Sequence, residues 1–174
     1  MEKGIINLEV AKQNLLDIRE FLARIDTPFW LMFGTFLGLY RDGELIPYDD
    51  DTDLAIYDED QVKILSHVGL IRELGFSGHR WETRVTLYRG GEHTDIYFFK
   101  LEGDKRTWFD LQIDRIDFEV SNQIDYLGKK WRILGNPEKW LRYIYGDTWR
   151  IPIAGLQAQT YPRGEVSGLA NARD

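Results

Sequence analysis

The block Asp49-Asp50-Asp51-Thr52-Asp53, followed at once by the apolar run Leu54-Ala55-Ile56-Tyr57, holds the densest chemistry in the chain. Successive side chains of a strand alternate between faces, so Asp51 and Asp53 project the same way and set two carboxylates side by side. Like charges that close cost energy unless a cation sits between them. Mg²⁺ suits the position, because it takes one or two carboxylates together with substrate phosphates. Two other readings compete. Aspartate runs are often solvated loop faces, but the apolar run that follows draws Asp53 toward a core. An EF-hand calcium loop counted from Asp49 needs Gly at its sixth position and Glu at its twelfth, where the chain has Leu54 and Asp60. That reading is discarded.

Such a pair needs elements to hold it. Upstream, Leu8, Ala11, Leu15, Ile18, Leu22 and Ile25 recur at spacings of three and four, one stripe of an amphipathic helix. Asp26-Thr27-Pro28 stops it, since proline disfavours the helical region for the residue before it. Phe29-Trp30-Leu31-Met32-Phe33 is short, apolar and aromatic, as in a buried strand, and it ends at Gly34-Thr35. Thr35 offers an N-cap for a short helix through Phe36, Leu37, Leu39 and Tyr40, closed by Asp42-Gly43. After Ile46-Pro47-Tyr48 the acid block reads as a loop entering its strand.

Asp58 to Leu74 reads as a second amphipathic helix, acidic at its N-terminus where the dipole favours such groups, and Gly75 ends it. The pattern then turns β-rich: Arg84-Val85-Thr86-Leu87-Tyr88 and Asp95-Ile96-Tyr97-Phe98-Phe99 flank a Gly90-Gly91 turn as a hairpin. Further strands are expected around Trp108 to Ile116 and within Asp125 to Leu134. Asn136 as N-cap and Pro137 in the first turn start a last helix through Trp140, Leu141, Ile144 and Tyr145, stopped at Gly146. Residues 1–153 are expected to form one domain, and 154–174, where periodicity vanishes, a loosely held tail.

The 174-residue length matches one ordinary domain. With 22 basic against 29 acidic residues the net charge is −7, which argues against wrapping nucleic acid through a basic face. A small phosphorylated substrate remains open where divalent ions supply the positive charge. The chain has no cysteine, which excludes disulfides, a thiolate zinc site and a cysteine nucleophile. No apolar run approaches the ~18 residues of a membrane span, and Met1 to Asn7 lacks a secretion-signal pattern, so a cytoplasmic protein is expected. His67, His79 and His93 lack ligand spacing and read as incidental, with His93 the one near the acids. Lys129-Lys130 could reach a diphosphate or form a solvated strand edge.

The ordered stretch Gly34-Thr35-Phe36-Leu37-Gly38-Leu39-Tyr40-Arg41, followed by Leu45-Ile46-Pro47-Tyr48-Asp49-Asp50-Asp51-Thr52-Asp53, resembles the signature of the LicD and fukutin-related family, a branch of the polymerase-beta-like nucleotidyltransferases. A weaker echo of its closing motif lies in Asn136-Pro137, the Trp140-Leu141 helix and Tyr145-Gly146-Asp147-Thr148-Trp149. The resemblance implies an α/β (α+β) fold, a nucleotidyltransferase-type mixed sheet flanked by helices. It implies that the Gly34-Thr35 turn cradles phosphate, that Asp49 sits with the substrate-binding residues, and that Asp51 and Asp53 bind Mg²⁺ or Mn²⁺. The fold needs a third carboxylate on a neighbouring strand. Asp95, which begins the run Ile96-Tyr97-Phe98-Phe99, is our choice, with Asp110 and Asp114 as alternatives. Arg41 fits either a donor-phosphate ligand or an exposed helix-end arginine.

Members of that family move a phospho-alcohol, such as phosphocholine or ribitol phosphate, from a cytidine diphosphate donor to a sugar hydroxyl. The expected function is therefore metal-dependent transfer of a phospho-alcohol from a nucleotide-activated donor to a glycan or small hydroxyl acceptor. The alternative is transfer of a nucleoside monophosphate from a triphosphate to a small molecule or protein. Both rest on positioning and charge neutralisation at phosphorus.

Overall fold

The computed structural model describes residues 5–152. Helix α1 (Leu8–Arg24) forms where the apolar stripe predicts it, burying Ala11, Leu15, Ile18 and Leu22. Asn7 caps it by accepting the Val10 N–H. Its end is set by backbone geometry: Asp26 is left-handed at φ 49, and the Thr27 N–H reaches back to the Leu22 carbonyl at 2.9 Å. This is a Schellman-type stop with proline just beyond it.

The main sheet runs β1 (Phe29–Leu31), β2 (Thr52–Tyr57), β5 (Glu92–Glu102), β4 (Arg84–Arg89), β3 (Ser77–Arg80) in spatial order. β2 and β5 are parallel and the other pairs antiparallel, so the sheet is mixed. Gly90 and Gly91, both at positive φ, close the β4–β5 hairpin in two residues. β5 outruns its expected length: beyond Phe99 its end pairs with β6 (Lys105–Trp108), which pairs in turn with β7 (Leu111–Asp114). The expected strand region from Trp108 to Ile116 is thus the end of one strand, a turn at the left-handed Phe109, and another strand.

A separate hairpin, β8 (Asn122–Tyr126) and β9 (Lys129–Ile133), turns at Leu127-Gly128. One core joins these layers, from Leu15 and Leu22 on α1 through Leu31, Leu54, Phe98 and Phe99 on the sheet to Trp131 and Leu141. Each such side chain contributes on the order of 1.5–3 kcal/mol through burial.

Three local expectations are corrected. The helix foreseen over Asp58 to Leu74 is a 3-10 turn (Asp58–Asp60) and two short helices, α3 (Gln61–Ser66) and α4 (Val68–Glu73), broken at His67. There the Ser66 hydroxyl donates to the Val62 carbonyl and the His67 Nδ1 lies 2.7 Å from the Lys63 carbonyl. Side chains compete for acceptors the helix would have used. Thr35 does not cap α2 (Phe33–Arg41): the helix starts at Phe33, with Met32 in the cap position. After α5 (Arg115–Glu119), helix α6 (Pro137–Tyr145) does start behind Asn136. The Asn136 amide makes no cap; it donates to Asp117 Oδ1 at 2.6 Å. The tail expected over 154–174 lies outside the described residues.

The turn after β2 is fastened to β6 by a fork. The Arg106 guanidinium donates to both Glu59 oxygens at 2.7 Å and lies 3.8 Å from the Tyr57 ring centroid. Arg106 holds the Glu59 carboxyl below the usual carboxylate range. A lowered folded-state pKa means that the pair's contribution is complete above the unfolded value, about 4.3, and is lost as pH falls through the folded value. Between about pH 6 and pH 3 the wild-type Tm should therefore fall more steeply than that of Glu59→Gln. Parallel curves would show that the fork adds nothing.

Candidate active site

Parallel pairing of β2 with β5 sets Asp53 opposite Asp95. Asp51 lies immediately before β2, and oxygens of Asp51, Asp53 and Asp95 all come within 4.8 Å of one another. The three are 6%, 1% and 5% exposed, so this is not a solvated loop face. Asp49, Asp50 and Asp51 form a second group at the same spacing, linked to the first through Asp51. The alternatives to Asp95 lie elsewhere: Asp114 is held by Lys105 and Lys139, and Asp110 sits on the exposed β6–β7 turn.

Residues not singled out from the sequence hold Asp95. Its Oδ1 accepts the Thr86 hydroxyl at 2.5 Å, and its Oδ2 lies 3.2 Å from both the Tyr97 hydroxyl and Arg84 Nε. The same Tyr97 hydroxyl lies 3.2 Å from Asp53 Oδ1, spanning the two acids. Trp81 Nε1–H donates to Thr86 Oγ1 at 3.1 Å, so the threonine proton is directed at Asp95. The sequence carried one faint signal of this: Thr86 and Asp95 face each other across the predicted Gly90-Gly91 hairpin.

Partners that fix a metal-binding carboxylate typically matter about ten- to a hundredfold in affinity or activity. Thr86→Val should weaken Mn²⁺ affinity by about that factor, and Thr86→Ser should restore it. A Val variant with unchanged Mn²⁺ affinity would remove Thr86 from the support of the site.

Gly34 and Thr35 lie in the first turn of α2. A Cβ on Gly34 would stand 2.0 Å from Asp49 Oδ2, so only glycine leaves room for that carboxylate. Thr35 Oγ1 accepts the Asp53 N–H at 2.8 Å and the Asp53 carbonyl accepts the Met32 N–H at 3.1 Å, locking the helix start onto the acid strand. The preceding Phe33 takes φ 42, a left-handed conformation costing on the order of 1–3 kcal/mol for a bulky residue. T-shaped contact with Tyr97 at 4.9 Å and packing on Trp108 at 5.5 Å hold it there.

Arg41 ends α2, paired with Asp42 and donating to the Trp149 carbonyl. His93 Nε2 lies 3.7 Å from Asp51 Oδ2, whereas His67 Nδ1 meets the Lys63 carbonyl and His79 meets the Trp81 ring. Lys129 and Lys130 are exposed on β9, against Glu20 and Asp125. Buried carboxylates at this spacing, with no competing soft ligand, form a donor set compatible with a hard divalent cation.

Residues 26–161 match the model of the LicD/FKTN/FKRP nucleotidyltransferase domain. An uncharacterized Rickettsia typhi protein is 30% identical over 150 residues, covering 86% of this chain and 45% of its own length. The human ribitol-5-phosphate transferase FKTN is 29% identical over 161 residues, covering 82% of the chain and 34% of its own length. The chain thus spans between a third and a half of these relatives. Among solved structures, the lincosamide antibiotic adenylyltransferase LnuA, solved with lincomycin bound, aligns with TM-score 0.56 at 15% identity, over 83% of this chain and 92% of that one. ANT(2'')-Ia in complex with adenylyl-2''-tobramycin aligns with TM-score 0.51 at 14% identity, over 80% and 77%. At such identity the likeness establishes the nucleotidyltransferase fold. Among the described residues no helix is long and apolar enough to cross a membrane.

Proposed function

The chain belongs to the LicD/FKTN/FKRP nucleotidyltransferase-domain family, and from that premise we propose that it transfers a phospho-alcohol from a CDP-linked donor to a sugar or glycan hydroxyl. The observation that carries the reading is the convergence of Asp51, Asp53 and Asp95, all buried, beside the first turn of α2. The phospho-alcohol is phosphocholine-like or a polyol phosphate, and the human relative's name favours the polyol.

Asp51, Asp53 and Asp95 would hold Mg²⁺ or Mn²⁺, which when bound supplies positive charge to the phosphoryl oxygens. The protein's own groups do the placing. The first turn of α2 has N–H groups without intrahelical partners that can meet a donor phosphate, and its glycine leaves room for Asp49 beside them. Both Asp95 oxygens lie within reach of side-chain donors, an arrangement that orients the carboxylate rather than freeing it to take a proton. In the transfer, the acceptor oxygen bonds to the phosphorus bearing the alcohol, the bond from that phosphorus to the CMP oxygen breaks, and the acceptor proton passes to solvent. The product is a phosphodiester.

The test incubates the protein and Mg²⁺ or Mn²⁺ with CDP-choline, CDP-ribitol and CDP-glycerol and, separately, with nucleoside triphosphates, each with glycan and small hydroxyl acceptors. Acceptor-dependent CMP release supports the proposal. Pyrophosphate release from a triphosphate, with no CMP from any CDP-alcohol, would replace it with nucleotidyl transfer.

A further inference from the structure

The sheet register continues the acid row toward an exposed edge. Asp53 on β2 is opposite Asp95 on β5, Asp95 is opposite Thr86 on β4, and Thr86 is opposite His79 on β3. Residues opposite one another across strands share a face, so His79, Thr86, Asp95 and Asp53 form one row on one side of the sheet. Trp81, in the turn between β3 and β4, leans over that row: its indole N–H is held by Thr86 and its ring meets His79 at a 60° tilt, centroids 4.3 Å apart. Arg84 approaches the same ring at 5.2 Å. Trp81 nevertheless remains 37% exposed, and His79 is exposed as well.

The row places this aromatic pair on the side of the acids away from α2. Spatial order runs β1, β2, β5, β4, β3, and α2 follows directly from β1. Displacement at phosphorus keeps the attacking and leaving oxygens roughly in line. A donor whose phosphates rest at the first turn of α2 must then receive its nucleophile from the β4–β3 side. Asp95 and His79 are two strands apart, roughly 10 Å at the usual interstrand spacing, so a ring resting on the pair puts its hydroxyls within reach of the acids. An exposed indole with a fixed N–H offers a flat apolar face, and a sugar ring has such a face on its C–H side.

We propose that Trp81, backed by His79, is the platform on which the acceptor's sugar ring stacks. This deepens the transfer reading and rests on it. The alternative is that Trp81 acts only through its hydrogen bond to Thr86. Phenylalanine separates the two, since it keeps a stacking face and loses the N–H. Trp81→Ala should raise the acceptor KM about tenfold, the scale of one lost ring stack. Trp81→Phe should recover most of that, while the donor KM moves less than about twofold in either variant.

Three outcomes overturn the platform: a Phe variant as impaired as Ala, a change in donor KM instead of acceptor KM, or no change in either. A readout independent of turnover is the Trp81 indole N–H resonance, assigned by its absence in Trp81→Phe. It should shift on titration with methyl glycosides of hexoses and N-acetylhexosamines. A shift without any CMP release would fault the transfer reading alone, and CMP release without a shift would fault the platform alone.

Discussion

Asp53→Asn is expected to lower metal-dependent turnover by about a thousandfold or more, close to 4 kcal/mol of transition-state stabilisation, and to leave the fold intact. Asp53 is the most buried of the three acids, and it shares the Tyr97 hydroxyl with Asp95. The amide keeps an oxygen for the Tyr97 hydroxyl but removes the negative charge that would face a cation. Stability should move the other way. Carboxylates within 4.8 Å of one another repel by about 3–4 kcal/mol at an effective dielectric near 20, before Arg84 offsets part of it.

Without metal, then, the Asn variant should melt at the wild-type temperature or a few degrees above it, since about 1 kcal/mol moves Tm by roughly 2–8 °C. Added Mn²⁺ should raise the wild-type Tm and leave the variant's nearly unmoved, because only a ligand that binds the folded state stabilises it. Differential scanning fluorimetry with and without Mn²⁺, alongside CMP release, reads both effects. A variant that turns over at near wild-type rate and gains the same Mn²⁺ shift would take Asp53 out of the site.

The parts of this architecture legible in the sequence were those set by local pattern. The α1 stripe, the acid block against Leu54-Ala55-Ile56 and the Gly90-Gly91 hairpin each announce themselves within one continuous stretch of the chain. So does the Asn136-Pro137 start of α6, although there the local signal misled about mechanism: the asparagine is spent on Asp117 and not on the helix. Asp95 could be chosen because it begins the apolar run Ile96-Tyr97-Phe98-Phe99.

What surrounds Asp95 could not be read in the same way. Arg84, Thr86 and Tyr97 look like ordinary strand residues until register brings them together, and a one-residue slip would send all of them to other faces. Thr35 misled for a related reason. A threonine after a strand is a good N-cap, and only the tertiary position of β2 turns its hydroxyl to the Asp53 N–H. The break at His67 depends on side chains capturing carbonyls, a competition that apolar periodicity does not register.

Two glycines four residues apart on α2 separate the demands of the site from those of the fold. Gly34→Ala and Gly38→Ala make the same local change, and in an exposed helix each would stabilise by up to about 1 kcal/mol. At Gly38 the new methyl would stand 2.7 Å from the Glu44 carbonyl oxygen and 2.8 Å from Ile46 Cγ1. Backbone there cannot swing aside, so Gly38→Ala should cost on the order of 1–3 kcal/mol as overpacking does, lowering Tm with activity surviving below the melt.

At Gly34 the nearest atom, 2.0 Å away, is Asp49 Oδ2, the far end of a side chain whose other oxygen accepts the Asp50 N–H. Side-chain torsion can move that carboxylate at the cost of its hydrogen bond from the Asp50 N–H, so Tm should fall less than at Gly38, where backbone is in the way. That movement, however, displaces Asp49 from the group it forms with Asp50 and Asp51, and the methyl intrudes 3.7 Å from Asp53 Oδ2, on the approach we assign to the donor phosphate. Turnover should then fall about a hundredfold or more, in keeping with the sensitivity of catalysis to ångström misplacement, and the donor KM should rise. The comparison is made by measuring Tm and CMP release on both variants side by side. A Gly34→Ala protein with full turnover and an unchanged donor KM would show that the bare backbone at the start of α2 serves only to seat Asp49, and the donor phosphate would have to be placed elsewhere around the acids.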